Sequence, residues 1–153
     1  MANQQSAIQN SPQLIQTPSQ VIQSNPETAA LILRLALGVM FLAHGLLKLL
    51  VFTPAGTAGF FASLGVPGWF GYAAIAAEVI GGLLLIIGFR VQLVAAGLIP
   101  LLVGSIVLVH GDKGWAFSNE GGGWEYSAFL IMASLALIFL GNGRFAAPIP
   151  GNR

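Results

Sequence analysis

Four apolar stretches, at residues 26–51, 69–88, 91–110 and 124–141, dominate this chain. Each is close to the ~20 residues a helix needs to cross a hydrocarbon core. Helices satisfy their own backbone hydrogen bonds, as a lipid-embedded segment must. The expected fold is therefore all-α, a polytopic membrane four-helix bundle with a short interfacial helix between spans one and two. Composition agrees: 7% of residues are charged and mean hydropathy is +0.81, whereas a soluble domain carries about 25% charge.

In such a chain the ionisable residues are the informative ones. An ionised group at the bilayer centre costs about 2.5–3.5 kcal/mol on insertion scales, so it turns toward protein. Arg34, His44, Lys48, Glu78 and Glu125 lie in or at the ends of the apolar stretches. On a helix, Arg34, His44 and Lys48 fall within about an 80° arc, one stripe of span one. Gly38 and Gly45 flank that stripe and permit close helix approach. In span two, Ala74, Glu78 and Gly82 share a face built for tight packing. Counting rise from the span ends brings Arg34 and Glu78 to similar depth, so an Arg34–Glu78 ion pair is expected. It would pin the bundle's register or floor a ligand site.

A second group lies toward the other end: His44, Lys48, His110, Trp124, Glu125 and Tyr126. Taken singly, Trp124 and Tyr126 suit an interfacial belt, Glu125 suits a helix start, and Lys48 suits snorkelling. Taken together they place two imidazoles, an ammonium and a carboxylate at one depth. That set can line a pocket for a quinone headgroup or a small anion. His44, His110 and Glu125 also match the donor types of a non-haem iron or zinc site, but their spacing is no metal motif and no metal is expected.

Other classes fall away. The chain has no cysteine, which removes disulfides, dithiol redox couples and thiolate metal sites. Net charge is +1 with scattered basic residues, so no nucleic-acid partner is expected. Residues 1–25 hold seven Gln, two Pro and no charge, and read as a disordered polar N-terminal tail. They lack the basic start and apolar core of a cleaved signal, so span one is expected to act as a signal anchor. Residues 26–147 form the membrane domain and 148–153 a short C-terminal tail.

Local signals mark the element ends. Asn25 is a suitable cap for span one, with Pro26 at the first helical position and Glu27 in the first turn. Residues 53–67 predict a short interfacial helix, capped by Thr53, opened by Pro54 and stopped by Gly65 and Pro67, with Phe60, Phe61 and Leu64 inward. Pro100 predicts a kink in span three, and residues 88–90 a tight turn. Arg90, Arg144 and Arg153 share one side, against Lys113 and Lys48, so both termini are expected in the cytoplasm, the chain lying multi-pass in a bacterial inner membrane. An echo links residues 38–45 to 104–111, matching at Gly, Leu, His and Gly. It reads either as two hairpins related by a pseudo-twofold or as coincidence in apolar sequence.

Several ordered motifs resemble the DoxX family of bacterial membrane proteins. They are Leu33-Arg34 with Gly38, Phe41-Leu42-Ala43-His44-Gly45 with Lys48, and Gly56-Thr57 with Phe60-Phe61 and Gly65. Further along come Glu78 with Gly81-Gly82, then Val109-His110-Gly111, Gly122-Gly123-Trp124-Glu125-Tyr126 and Gly143-Arg144-Phe145. The resemblance runs from about residue 28 to 147. It implies a four-helix integral membrane protein with these polar positions as the recurring set. It also implies association with quinone-linked oxidoreductases and with oxidative-stress or thiol-oxidation partners.

Three functional readings follow. The first is a quinone-associated redox subunit, with His44, His110 and Glu125 exchanging protons and a redox or stress-response protein as partner. The second is a non-catalytic scaffold in the lipid bilayer. The third is a small-solute carrier centred on Glu78 and working as a homo-oligomer.

Overall fold

The computed structural model describes residues 25–148. These residues form five α-helices and no strand: α1 Pro26–Leu50, α2 Pro54–Ser63, α3 Trp69–Ile87, α4 Val91–Ser105 and α5 Glu125–Leu140. The polar tail read at residues 1–25 falls, but for Asn25, outside the described residues, as do the last five residues with Arg153.

Helices α1, α3 and the continuous helical stretch Val91–Lys113 are long and apolar enough to cross a membrane; α5, at 16 residues, is apolar but shorter. The caps fall where the side-chain chemistry asks. Asn25 Oδ1 accepts from Thr28 N at 3.0 Å, and Thr53 Oγ1 accepts from Gly56 N at 3.2 Å. Gly88, at φ 78°, closes α3 in the left-handed conformation that lets Phe89 N reach back to Leu84 O. Past Ser105 the α4 helix loosens, through a π turn at Ile106–His110 and a 3-10 turn at Gly111–Lys113.

Between helices in lipid there is no hydrophobic drive, so close approach of small residues carries the association. At Gly82 an added Cβ would sit 2.7 Å from Leu42 N and 2.8 Å from Gly38 O. The α1 and α3 backbones therefore touch, and touch again where Gly45 meets Val79 and Glu78. Helix α5 runs antiparallel along the full length of α4: Ser105 and Ser127 hydroxyls lie 3.2 Å apart at one end, and Gln92 Nε2 donates to Ile138 O at the other. Leu37, Phe41, Leu85, Leu98, Leu130 and Leu137 fill the core between the two hairpins. The end holding the start of α1, the α3–α4 turn and the end of α5 is the terminal face; α2 and the 111–124 loop lie at the far face.

The register overturns the expected Arg34–Glu78 ion pair. Glu78 is level with Gly45, whereas Arg34 is level with Gly88, where an added Cβ would collide with its Nη1. Three turns of helix, about 16 Å of rise, separate the two depths. Helix α1 overhangs α3 at the terminal face, so distance from each helix end does not measure shared depth. Arg34 is buried to 1% exposure, and its Nη2 donates to Arg144 O at 3.1 Å. Its Nε and Nη1 find no partner among the described residues. The segment after α5 folds over it, with Arg144 N on Glu27 O and Ala147 N on Ile87 O.

Candidate functional site

The partner of Glu78 is Lys48. Lys48 Nζ donates to both carboxylate oxygens, at 2.8 and 2.7 Å. The Glu78 side chain is 8% exposed and that of Lys48 23%, which makes this the one buried ion pair among the described residues. Snorkelling to the surface, the expectation for Lys48 alone, gives way to a counter-charge within reach. Two features hold the pair. Gly45 lets α1 lie against α3 at this level, and Thr57 Oγ1 donates to Lys48 O at 3.3 Å, fastening α2 to the end of α1.

The pair stands in the wall of a chamber of about 890 Å³ bounded by all five helices. That is within the roughly 300–1,000 Å³ of small-molecule sites. Most of the lining is apolar, and α2 roofs it with Phe60, Phe61 and Leu64, all turned toward it as the sequence predicts. Beside the ion pair the polar lining includes His44, Thr57, Ser105, Tyr126 and Ser127. The His44 and Tyr126 rings stack at 6.2 Å between centroids. His44 Nδ1 lies 2.9 Å from Met40 O. A carbonyl only accepts, so Nδ1 carries the hydrogen and Nε2 keeps the lone pair in the neutral ring.

The remaining residues of the expected far-end group do not enter this chamber. His110 Nδ1 lies 2.8 Å from Gly122 O, and Glu125 Oε1 accepts from Phe117 N at 2.7 Å. Trp124 packs edge-on against Trp115 at 4.5 Å. These three bind the 111–124 loop to itself. The loop folds back in register, Trp124 N on Gly114 O and Glu125 N on Trp115 O, which leaves His110 and Glu125 occupied by backbone. The chamber's carboxylate is therefore Glu78 and not Glu125. Among the described residues no three His, Asp or Glu side chains gather as a metal site, and His44 and His110 belong to different structures.

Sequence reasoning missed the Lys48–Glu78 partnership and the contribution of Ser105, Ser127 and Thr57. The usable signal was the glycine pairing: Gly38 against Gly82 fixes the α1–α3 register, and that register sets Glu78 opposite the Gly45–Lys48 turn.

The DoxX family model matches residues 29–111, which hold α1 to α4 and so His44, Lys48 and Glu78, but not Tyr126. The chain is also similar to a Bacillus subtilis (strain 168) protein named "Putative oxidoreductase CatD", with 32% identity over 124 residues, 81% of this chain and 87% of that one. No solved structure matches.

Proposed function

This chain belongs to the DoxX family of membrane proteins, and from that premise we propose that it is an oxidoreductase-associated membrane subunit whose chamber receives a quinone ring. The observation that carries the proposal is the composition of the chamber wall. An apolar volume of about 890 Å³ meets an ammonium–carboxylate pair, an imidazole and a phenol in one continuous surface. A flat, lipophilic ring with carbonyl oxygens has the matching chemistry: apolar faces for the aromatic lining and acceptors for the Lys48 ammonium. The oxidoreductase name of the Bacillus relative points the same way.

A bound quinone supplies a two-electron, two-proton acceptor that a chain without cysteine does not have. His44 provides an Nε2 lone pair that takes up or returns a proton, while its Nδ1 stays fixed on Met40 O. Glu78 holds the Lys48 ammonium in place through two of its N–H groups, and the third offers a donor to a carbonyl oxygen. Tyr126 stacks on His44 and fixes the ring plane. The electrons come from a partner protein, in line with a subunit role.

We place the chain in the bacterial inner membrane as a four-crossing protein with both ends cytoplasmic. Lys48 is committed to Glu78, so the far face retains Lys113, itself 2.9 Å from Asp112. The terminal face holds Arg90 and Arg144, and the bias of basic residues favours it as the cytoplasmic side.

The test is titration of a benzoquinone into the full-length protein in mild detergent, read by native mass spectrometry and tryptophan fluorescence. A one-to-one adduct is the expected result, and His44→Ala should weaken that of the corresponding hydroquinone, whose hydroxyl donates to Nε2. No adduct at any ring concentration overturns the proposal.

A further inference from the structure

The chamber is not closed on all sides. Helices α3 and α4 meet tightly at mid-helix, where an added Cβ at Gly81 would lie 3.0 Å from both Leu98 methyls. Small or ring-constrained residues are frequent in the chamber lining on either side of this contact: Ala73 and Ala77 on α3 and Gly97, Pro100 and Gly104 on α4. At Gly97 and Gly104 an added Cβ would find no atom within 4 Å. Ala73, Gly97 and Pro100 are exposed while lining it, so the chamber reaches the outer surface of the bundle along this seam. Gly97 to Gly104 is about 10 Å of helix rise.

The charged and imidazole groups of the chamber, His44, Lys48 and Glu78, lie at the α1–α3 contact, while residues 97–104 of α4 carry no polar side chain. A molecule whose polar end meets Lys48 and His44 therefore has an apolar way out past residues 97–104. Outside that exit, in a membrane, is hydrocarbon.

We propose that the α3–α4 seam is a side entrance from the bilayer, and that the chamber's ligand is a membrane-borne quinone whose one long hydrocarbon tail leaves past the exposed lining residues Ala73, Gly97 and Pro100. This rests on the ring site proposed above and adds the class of ligand and its route.

The experiment uses the full-length protein in nanodiscs of phosphatidylcholine and phosphatidylglycerol. The probe is a benzoquinone whose ten-carbon tail ends in a photoreactive diazirine, with ring occupancy read separately by tryptophan fluorescence. After illumination, peptide mass spectrometry locates the tail. The expected labels fall on residues 73–77 and 97–104, and Gly97→Leu, which fills the seam without meeting backbone, lowers them about fivefold. Ring binding with labels confined to other lipid-facing surfaces, or labels unchanged in Gly97→Leu, overturns the entrance and leaves the ring site standing. Absence of ring binding overturns both. Should Gly97→Leu misfold, the wild-type label positions decide alone.

Discussion

Lys48 and Glu78 join α1 to α3 through two hydrogen bonds from one ammonium, at 2.8 and 2.7 Å. The pair sits where a lone charge would be expensive, beside an apolar chamber and largely shielded from solvent. Its value lies in mutual compensation. Desolvating both charges consumes much of their attraction, so the pair specifies register more than it adds net stability.

The asymmetry between losing one charge and losing both gives the first prediction. Lys48→Met leaves the Glu78 carboxylate buried without a counter-charge and is expected to cost about 3 kcal/mol, the lower end for a broken buried pair because Lys48 retains 23% exposure. Glu78→Leu strands Lys48 similarly. The double variant Lys48→Met/Glu78→Leu is expected to be more stable than either single one. Thermal unfolding of all four proteins in one detergent measures the coupling; strictly additive losses would show that the two side chains act independently.

A second prediction separates glycines that carry packing from glycines that leave space. Gly82→Val drives a side chain into the backbone of α1 at Leu42 N and Gly38 O, and neither can yield without parting the helices. A loss of about 1–3 kcal/mol is expected, as for other overpacked sites. Gly104→Ala meets nothing within 4 Å and replaces a poor helix former. It is expected to gain up to about 1 kcal/mol. Denaturant titration followed by helical circular dichroism compares the two, and equal losses would contradict the tight α1–α3 seam.

The third prediction concerns the terminal face. Gly88 has φ 78°, and a side chain there would occupy the place of Arg34 Nη1. Gly88→Ala therefore combines left-handed backbone strain of about 1–2 kcal/mol with expulsion of a buried guanidinium. Arg34→Met removes the bond to Arg144 O without straining the turn. Both are expected to loosen the segment after α5, and trypsin should cleave after Arg144 about tenfold faster, equivalent to roughly 1.4 kcal/mol of lost local protection. Unchanged cleavage in Arg34→Met would mean that Arg144 N on Glu27 O and Ala147 N on Ile87 O suffice to hold the segment.

What the sequence disclosed and what it hid have separate physical causes. Apolar length and end chemistry are local, so the helices, the Asn25 and Thr53 caps and the Gly88 stop were all legible. Facing is another matter. Helices apolar on nearly every side offer no polar stripe to aim them, and depth counted from a helix end fails when α1 overhangs its neighbour. Arg34 was thus assigned a partner three turns away. His110 and Glu125 looked like chamber residues because their types fit; the loop backbone claimed them instead, through contacts with Gly122 and Phe117 that no local pattern announces. The 38–45 and 104–111 echo likewise conceals a difference. Gly38 is pressed against α3, while Gly104 faces open space and helps to make the chamber.

The last prediction distinguishes the roles of the two stacked rings in quinone binding. His44 contributes a hydrogen-bonding nitrogen, Nε2, whose availability depends on Nδ1 donating to Met40 O. Removing this acceptor by His44→Ala should weaken binding of the hydroquinone, whose hydroxyl donates to Nε2, about tenfold, the value of one hydrogen bond near 1.4 kcal/mol. Tyr126 lies parallel to His44 at 27° and 6.2 Å, and also meets Phe117 at 6.3 Å, so its aromatic face is the part held in place. Tyr126→Phe keeps that face and should change affinity by less than about threefold, whereas Tyr126→Leu should match the His44→Ala loss because the imidazole is then free to rotate. Tryptophan fluorescence titration of the three variants with one hydroquinone reads all the values. A loss in Tyr126→Phe as large as in Tyr126→Leu would transfer the role to the phenolic hydroxyl, and would make Tyr126 a hydrogen-bond donor to the ligand in place of a support for His44.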